Sequence, residues 1–393
     1  MTWRPRKMVN LVRISFILFT SVLLTACGLS WFEKDTYVAL PSELVEFSPE
    51  FEPSIVWSTD TGSGTDDDYS QLGAWVQGDA VITVGYQGDV SSYVAMSGKK
   101  LWSVDLDVFV TTGAGGGNGL ILIGTREGQV IALDELDGTV KWTKQLTSEV
   151  LSPAKSAHGV VVARTADGRL SGLSVEDGTQ LWSYQRAVPL LSLRGASEAV
   201  IAGETVISGY ANGKLAALSL ADGVVIWETS VAVPRGRTEL DRLVDIDSAP
   251  VVVGDIVYVV AFNGRLAAIS LDSGRVLWHR ELSSRSGLDV DAGYSVYVSD
   301  DSDYLWSLQD GTGDALWRQT QLLRRRITAP VIVGDSIIVG DFDGYVHWIS
   351  REDGRFVARK RIADEAIRSK PVVKDDLVFV TASDGTLTAF RIN

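Results

Sequence analysis

Few residues in this 393-residue chain have types and spacing that suit chemistry. Cys27 is its single cysteine, so no disulfide can close within the chain. A lone thiol is left with acylation, oxidation or metal binding. His158, His279 and His347 share no metal-ligand spacing, and core or surface placement fits each better than zinc. Asp66-Asp67-Asp68 offers calcium-type ligands but lacks a Gly and Glu at ligand spacing, so it reads as a solvated loop. Asp300-Asp301-Ser302-Asp303 reads as a polar replacement of a hairpin turn, and Arg324-Arg325-Arg326 as a solvated stretch before a strand. No Ser-His-Asp arrangement, P-loop or paired-carboxylate motif stands out, so no catalytic residue, metal or cofactor is expected.

The position of Cys27 is informative. Arg4, Arg6, Lys7 and Arg13 make a basic start, and residues 14–24 form an apolar core. Eleven residues fall short of the roughly 20 that span a membrane. Leu24-Thr25-Ala26-Cys27 follows and resembles the bacterial lipobox. That resemblance implies a signal peptide over 1–26 and a covalent lipid on Cys27. Gly28, rather than Asp, comes next, which implies sorting to the outer membrane. Removing 1–26 takes away four positive charges and no negative one, so the net charge moves from −14 to −18. Such a surface does not bind nucleic acid through phosphates. It meets a membrane through its lipid alone.

The rest of the chain repeats one unit, clearest at 250–282. Gly254-Asp255, Asn263-Gly264 and Asp272-Ser273-Gly274 separate short runs rich in Val, Ile and Ala, a pattern of strands joined by tight turns. Asn263-Gly264 has the composition of a two-residue turn with positive φ angles. Trp278 follows four residues after Gly274. The inner turn residue recurs as Gly88, Gly128, Gly168, Gly213, Gly264, Gly344 and Gly385, with Asp303 in the remaining slot. The tryptophan recurs as Trp57, Trp102, Trp142, Trp182, Trp227, Trp278 and Trp317, at spacings of 45, 40, 40, 45, 51 and 39, with Ala358 in the eighth slot.

A period near 40 with four strands per unit predicts an all-β fold: an eight-bladed β-propeller of four-stranded antiparallel blades over 52–393. Trp57 has no hairpin before it and 371–392 has no tryptophan strand after it, so the strand around Ile55 should close the last blade. Residues 27–51 read as a lipidated tether, with a short helix over 42–47 as one reading. The Gly-x-x-x-Trp endings resemble the pyrroloquinoline-quinone-type propeller repeat.

Loops carry function on such a scaffold. From tryptophan to the next inner strand, three connections are long: 17 residues after Trp57, 17 after Trp182 and 23 after Trp227. The latter two flank one blade. The first holds Val188-Pro189-Leu190-Leu191-Ser192-Leu193-Arg194-Gly195, and the second is charged but punctuated by Leu240, Leu243 and Ile246. Apolar residues rimmed by charge suit a protein-binding patch. The same composition suits leucines that plug gaps between blades.

Leu191-Ser192-Leu193-Arg194-Gly195, the run from Thr238 to Asp247, and Asp343-Gly344-Tyr345-Val346-His347-Trp348-Ile349 together resemble the BamB family, along essentially the whole chain. These are lipoproteins of the outer-membrane β-barrel assembly machinery. The resemblance implies a non-enzymatic scaffold at the periplasmic face of the outer membrane. It implies docking on POTRA domains of the central barrel subunit, BamA, alongside other subunits of the machinery and, as clients, unfolded outer-membrane proteins. The implied partner-binding residues are Leu191, Leu193, Arg194, Asp245 and Asp247. Asp245 and Asp247 could meet basic groups on the partner or fold back onto Arg194 and Arg242. The alternatives are a lipid-anchored propeller with another envelope partner and a quinoprotein dehydrogenase. The second typically carries an adjacent cysteine pair, which a chain with Cys27 alone cannot supply.

Overall fold

The computed structural model describes residues 39–392 apart from 66–70, 190–196, 235–236 and 239–241. The chain divides into two compact units, Met1–Leu40 and Pro41–Asn393, and every described strand belongs to the second. No helix occurs among the described residues.

The strands form four-stranded antiparallel meanders. Six are separate sheets, and a seventh, eight-stranded sheet is two meanders joined by one parallel bridge, Lys155 to Gly116. Each meander opens with a short inner strand. The second strand, such as Leu120–Gly124, is rich in Val, Ile and Leu and buried along most or all of its length, because both faces pack on neighbouring sheets. In most meanders the fourth, outer strand exposes alternate residues. The inner strands touch in sequence order from Trp75–Gln77 through Val372–Lys374, and these two also touch each other, closing a ring. Ile55–Asp60 completes the last meander by pairing with Thr386–Arg391, Trp57 opposite Ala389. The closure expected from the unmatched ends is therefore present, and the last sheet has four strands like the others.

The repeated glycine and tryptophan act between meanders, although the sequence reads them as one motif. Each indole lies on the turn glycine of the next meander: Trp57 on Gly98, Trp142 on Gly178, Trp317 on Gly354. The Nε1 of Trp57 donates to the Ala95 carbonyl at 2.8 Å, and those of Trp142 and Trp182 donate to Val175 and Leu220 at 2.9 and 2.8 Å. Each indole thus ties one meander to the next by a ring contact, and those of Trp57, Trp142 and Trp182 add a hydrogen bond.

Two turns show how residue type meets backbone demand. Asp303 takes φ 65° where other meanders place glycine, an angle that Asp tolerates better than most residues. At Asn263-Gly264 only Asn263 has a positive φ, 48°, so the expected turn with two such residues does not form. There Phe262 pairs instead with Asp245 of the preceding loop.

Residues 42–47 carry no helix. Ser42 donates from its amide to the Leu323 carbonyl at 2.9 Å, and Glu50 donates to Val357 at 2.8 Å. Phe47 stacks on Phe356 at 5.5 Å. Phe356 and Val357 are consequently buried, where the other outer strands leave those two positions exposed or half-buried. Phe51 meets Trp348 edge-on at 6.4 Å and packs into the same core. This accounts for Ala358 in the tryptophan slot. The closing meander joins two distant parts of the chain, so it offers no turn glycine to receive an indole.

Candidate functional site

Leu191, Leu193, Arg194 and Cys27 lie outside the described residues. Asp245 and Asp247 are described, in the long connection between Val225–Ser230 and Val251–Val253. Asp245 is 2 % exposed. Its carbonyl accepts from Phe262 N at 2.7 Å, and the Asn263 side chain donates to the Leu243 carbonyl at 3.0 Å. Leu243, Val244 and Ile246 are buried. Of the two readings the sequence left open for Leu243 and Ile246, a partner-binding patch and gap-filling packing, their burial fits the second. Val244 and Ile246, which share one core cluster, alternate with Asp245 and Asp247, as on an extended backbone that turns successive side chains to opposite sides.

The charge set against both aspartates is Arg164, the last residue of Val160–Arg164. It is 5 % exposed. Its Nη1 donates to Ser208 Oγ at 2.9 Å and to the Gly209 carbonyl, and its guanidinium lies 4.6 Å from the Tyr210 ring centre. Burial lowers the Arg164 pKa, with Tyr210, Asp245 and Asp247 opposing that shift. Burial pushes the Asp247 carboxyl up to about 6; Arg164 pulls it down and Asp301 pushes it further up. Burial also pushes the Tyr210 hydroxyl to about 12. Close by, Arg186 donates to Tyr184 Oη at 2.6 Å and pairs with Glu228, which also takes Lys214 Nζ at 2.6 Å.

Sequence reasoning missed Arg164, though a signal existed. The equivalent last residues of the second strands are Val84, Gly124, Gly209, Val260, Ser299, Gly340 and Thr381. A single arginine among small and apolar residues marks one meander as different.

Arg325 is a second correction. Arg324 and Arg326 are exposed, but Arg325 is 4 % exposed. Its Nε donates to Asp341 at 2.7 Å, its Nη2 to Asp343 at 3.1 Å and its Nη1 to the Ser42 carbonyl at 3.1 Å. His347 is fully buried. Its Nδ1 accepts from Arg359 Nε at 3.1 Å, which leaves the proton on Nε2 to be donated to Asp341 at 2.9 Å. Arg359 also donates to the Val45 carbonyl at 3.0 Å. This network fastens residues 42–47 to the sheet. The Asp300–Asp303 turn is likewise used internally: Asp300 accepts from Ser302 N, Tyr304 N and Trp306 Nε1, and Asp303 from Ile327 N.

The model of the family described as outer membrane protein assembly factor BamB matches residues 86–319 and 305–393. The outer membrane protein assembly factor BamB of Pseudomonas aeruginosa is 44 % identical over 352 residues, spanning 90 % of this chain and 92 % of that protein. The chain belongs to the BamB family. The crystal structure of BamB from Moraxella catarrhalis superposes with a TM-score of 0.80 at 30 % identity, covering 86 % of this chain and 99 % of that one. A quinohemoprotein alcohol dehydrogenase from Comamonas testosteroni shares the fold alone, at TM-score 0.67 and 11 % identity over 86 % of this chain and 76 % of that one. The BamB family is one of assembly factors, not enzymes, which removes the dehydrogenase alternative.

Proposed function

We propose that this chain is a lipid-anchored scaffold of the outer-membrane β-barrel assembly machinery. Its eight meanders are the blades of one closed propeller over 52–393. Residues 1–26 are a removable signal, and Cys27 carries the lipid that holds the body at the periplasmic face of the outer membrane. The propeller docks on POTRA domains of BamA and assists assembly and insertion of outer-membrane β-barrel proteins. The observation that carries this reading is family membership along nearly the whole chain.

Within the docking site, Leu191, Leu193 and Arg194 are the contact residues. Each leucine is worth about 1–3 kcal/mol if fully covered by the partner, and Arg194 suits bidentate bonds to a carboxylate or to carbonyls. The burial of Asp245, with Asp247 half-buried beside it, supports a role in shaping their loop from within rather than in touching the partner. The test is co-purification of the intact lipoprotein with BamA from membranes. The wild type should carry BamA along, and Cys27→Ala should shift to the soluble periplasmic fraction. A wild type recovered without BamA would contradict the reading.

A further inference from the structure

We propose that Arg164 is a positioning residue for the 243–247 segment: buried one meander away, it holds Gly209, and Gly209 seats Ile246 between the two aspartates. The proposal rests on the docking reading above only for its effect on the partner.

The contacts run in one line. Arg164 takes hold of three consecutive residues, through Ser208 Oγ, the Gly209 carbonyl and the Tyr210 ring. The α-carbon of Gly209 faces the segment. A Cβ built there would lie 2.2 Å from Ile246 Cγ2 and 3.2 Å from the Ile246 carbonyl oxygen. Ile246 is fully buried beside Ile207, Val244 and Val257. The residue gripped by Arg164 is therefore the seat of the residue between Asp245 and Asp247, and both carboxylates feel the same guanidinium.

The sheet does not require this arginine. The seven equivalent strand ends carry Val, Gly, Ser or Thr and form the same meander. Burying a guanidinium costs solvation, so its placement calls for a compensating role. That role is local to the segment it faces. The charged and titratable groups around Asp247 are Arg164 and Asp301, with Asp245 on the same segment and Tyr210 beneath the guanidinium.

The test uses the full chain and the variants Arg164→Met, Arg164→Lys and Gly209→Ala, each checked by circular dichroism. The first readout is tryptic cleavage after Arg237 and Arg242, both exposed. Arg164→Met and Gly209→Ala should speed cleavage at these two bonds at least fivefold, with other bonds unchanged and Arg164→Lys in between. The second readout is affinity for purified POTRA domains, which should fall about tenfold in Arg164→Met. Wild-type cleavage in a folded Arg164→Met would overturn the proposal. Should Arg164→Met not fold, Arg164→Lys and Gly209→Ala decide it by the same readout. Faster cleavage with a wild type that binds no POTRA domain would support the positioning role and overturn the docking reading alone.

Discussion

The indole of Trp142 lies on the α-carbon of Gly178 in the next meander, and its Nε1 reaches the Val175 carbonyl at 2.9 Å. A Cβ on Gly178 would sit 2.7 Å from the ring, at φ 71°. Gly159 has a similar φ, 79°, with nothing within 4 Å of its Cβ position. Gly159→Ala should therefore cost only the left-handed backbone term, about 1–2 kcal/mol. Gly178→Ala should cost that plus overpacking of about 1–3 kcal/mol. Urea denaturation of the two variants side by side isolates the seam; equal costs would show that the indole gives way freely.

Ala358 looks like a lost tryptophan, and restoring it should harm the protein. Its side chain is fully buried among Trp348, Phe390 and the N-terminal Phe51, with no turn glycine to receive a ring. Ala358→Trp should lower stability by about 1–3 kcal/mol or more through overpacking, read as a fall in the urea midpoint.

Asp247 should trade stability for position. Its pKa is raised to about 6, so its charge is unfavourable in the folded state at neutral pH. A raised folded pKa gives stability that is present below the unfolded value near 4 and lost as pH rises through about 6. Asp247→Asn, which cannot ionise, should be more stable than wild type at pH 7.5, on the order of 1–3 kcal/mol. The advantage should shrink towards pH 5. Thermal melts across that range check the sign.

The buried network at Arg325 should be far less forgiving. Asp341→Asn leaves Arg325 buried beside a neutral group, a change that costs about 3–5 kcal/mol when a buried pair is broken. Burial holds His347 below its ordinary pKa although Asp341 opposes it. A depressed histidine gives stability that is present above the unfolded value near 6.5 and lost as pH falls below it. Wild type should lose stability between pH 7 and 5 relative to His347→Gln, whose side chain does not titrate. Comparing the two by urea denaturation removes the opposing contribution of Asp247, which both share.

The fold was legible because its repeat demands particular residues at fixed intervals. A positive-φ turn needs Gly, Asn or Asp, and an indole seated on a glycine tolerates no Cβ, so Gly88, Gly178 and Trp142 stand out in any reading. Closure by Ile55–Asp60 followed from counting unmatched ends. The partners of buried charges were hidden. Arg325 between two exposed arginines looks solvated until Asp341 and Ser42 are brought beside it. Arg164 meets Gly209 across a seam 45 residues away in sequence. Leu243 and Ile246 show the remaining ambiguity: a leucine that binds a partner and one that fills a gap between sheets have the same composition. The burial of Asp245 was equally invisible, because its partner Phe262 lies 17 residues on, in the next meander.

The central claim is docking on POTRA domains through the two long loops, and equilibrium binding tests it most directly. The soluble body, 28–393, would be titrated with purified POTRA domains of BamA, alongside Leu193→Ala and Arg194→Ala variants shown to be folded. The account predicts measurable binding by the wild type and a loss of about 2 kcal/mol or more in each variant, as for an interface hot spot. Wild-type affinity in both folded variants would contradict the two-loop site, and a wild type that does not bind would contradict the scaffold itself.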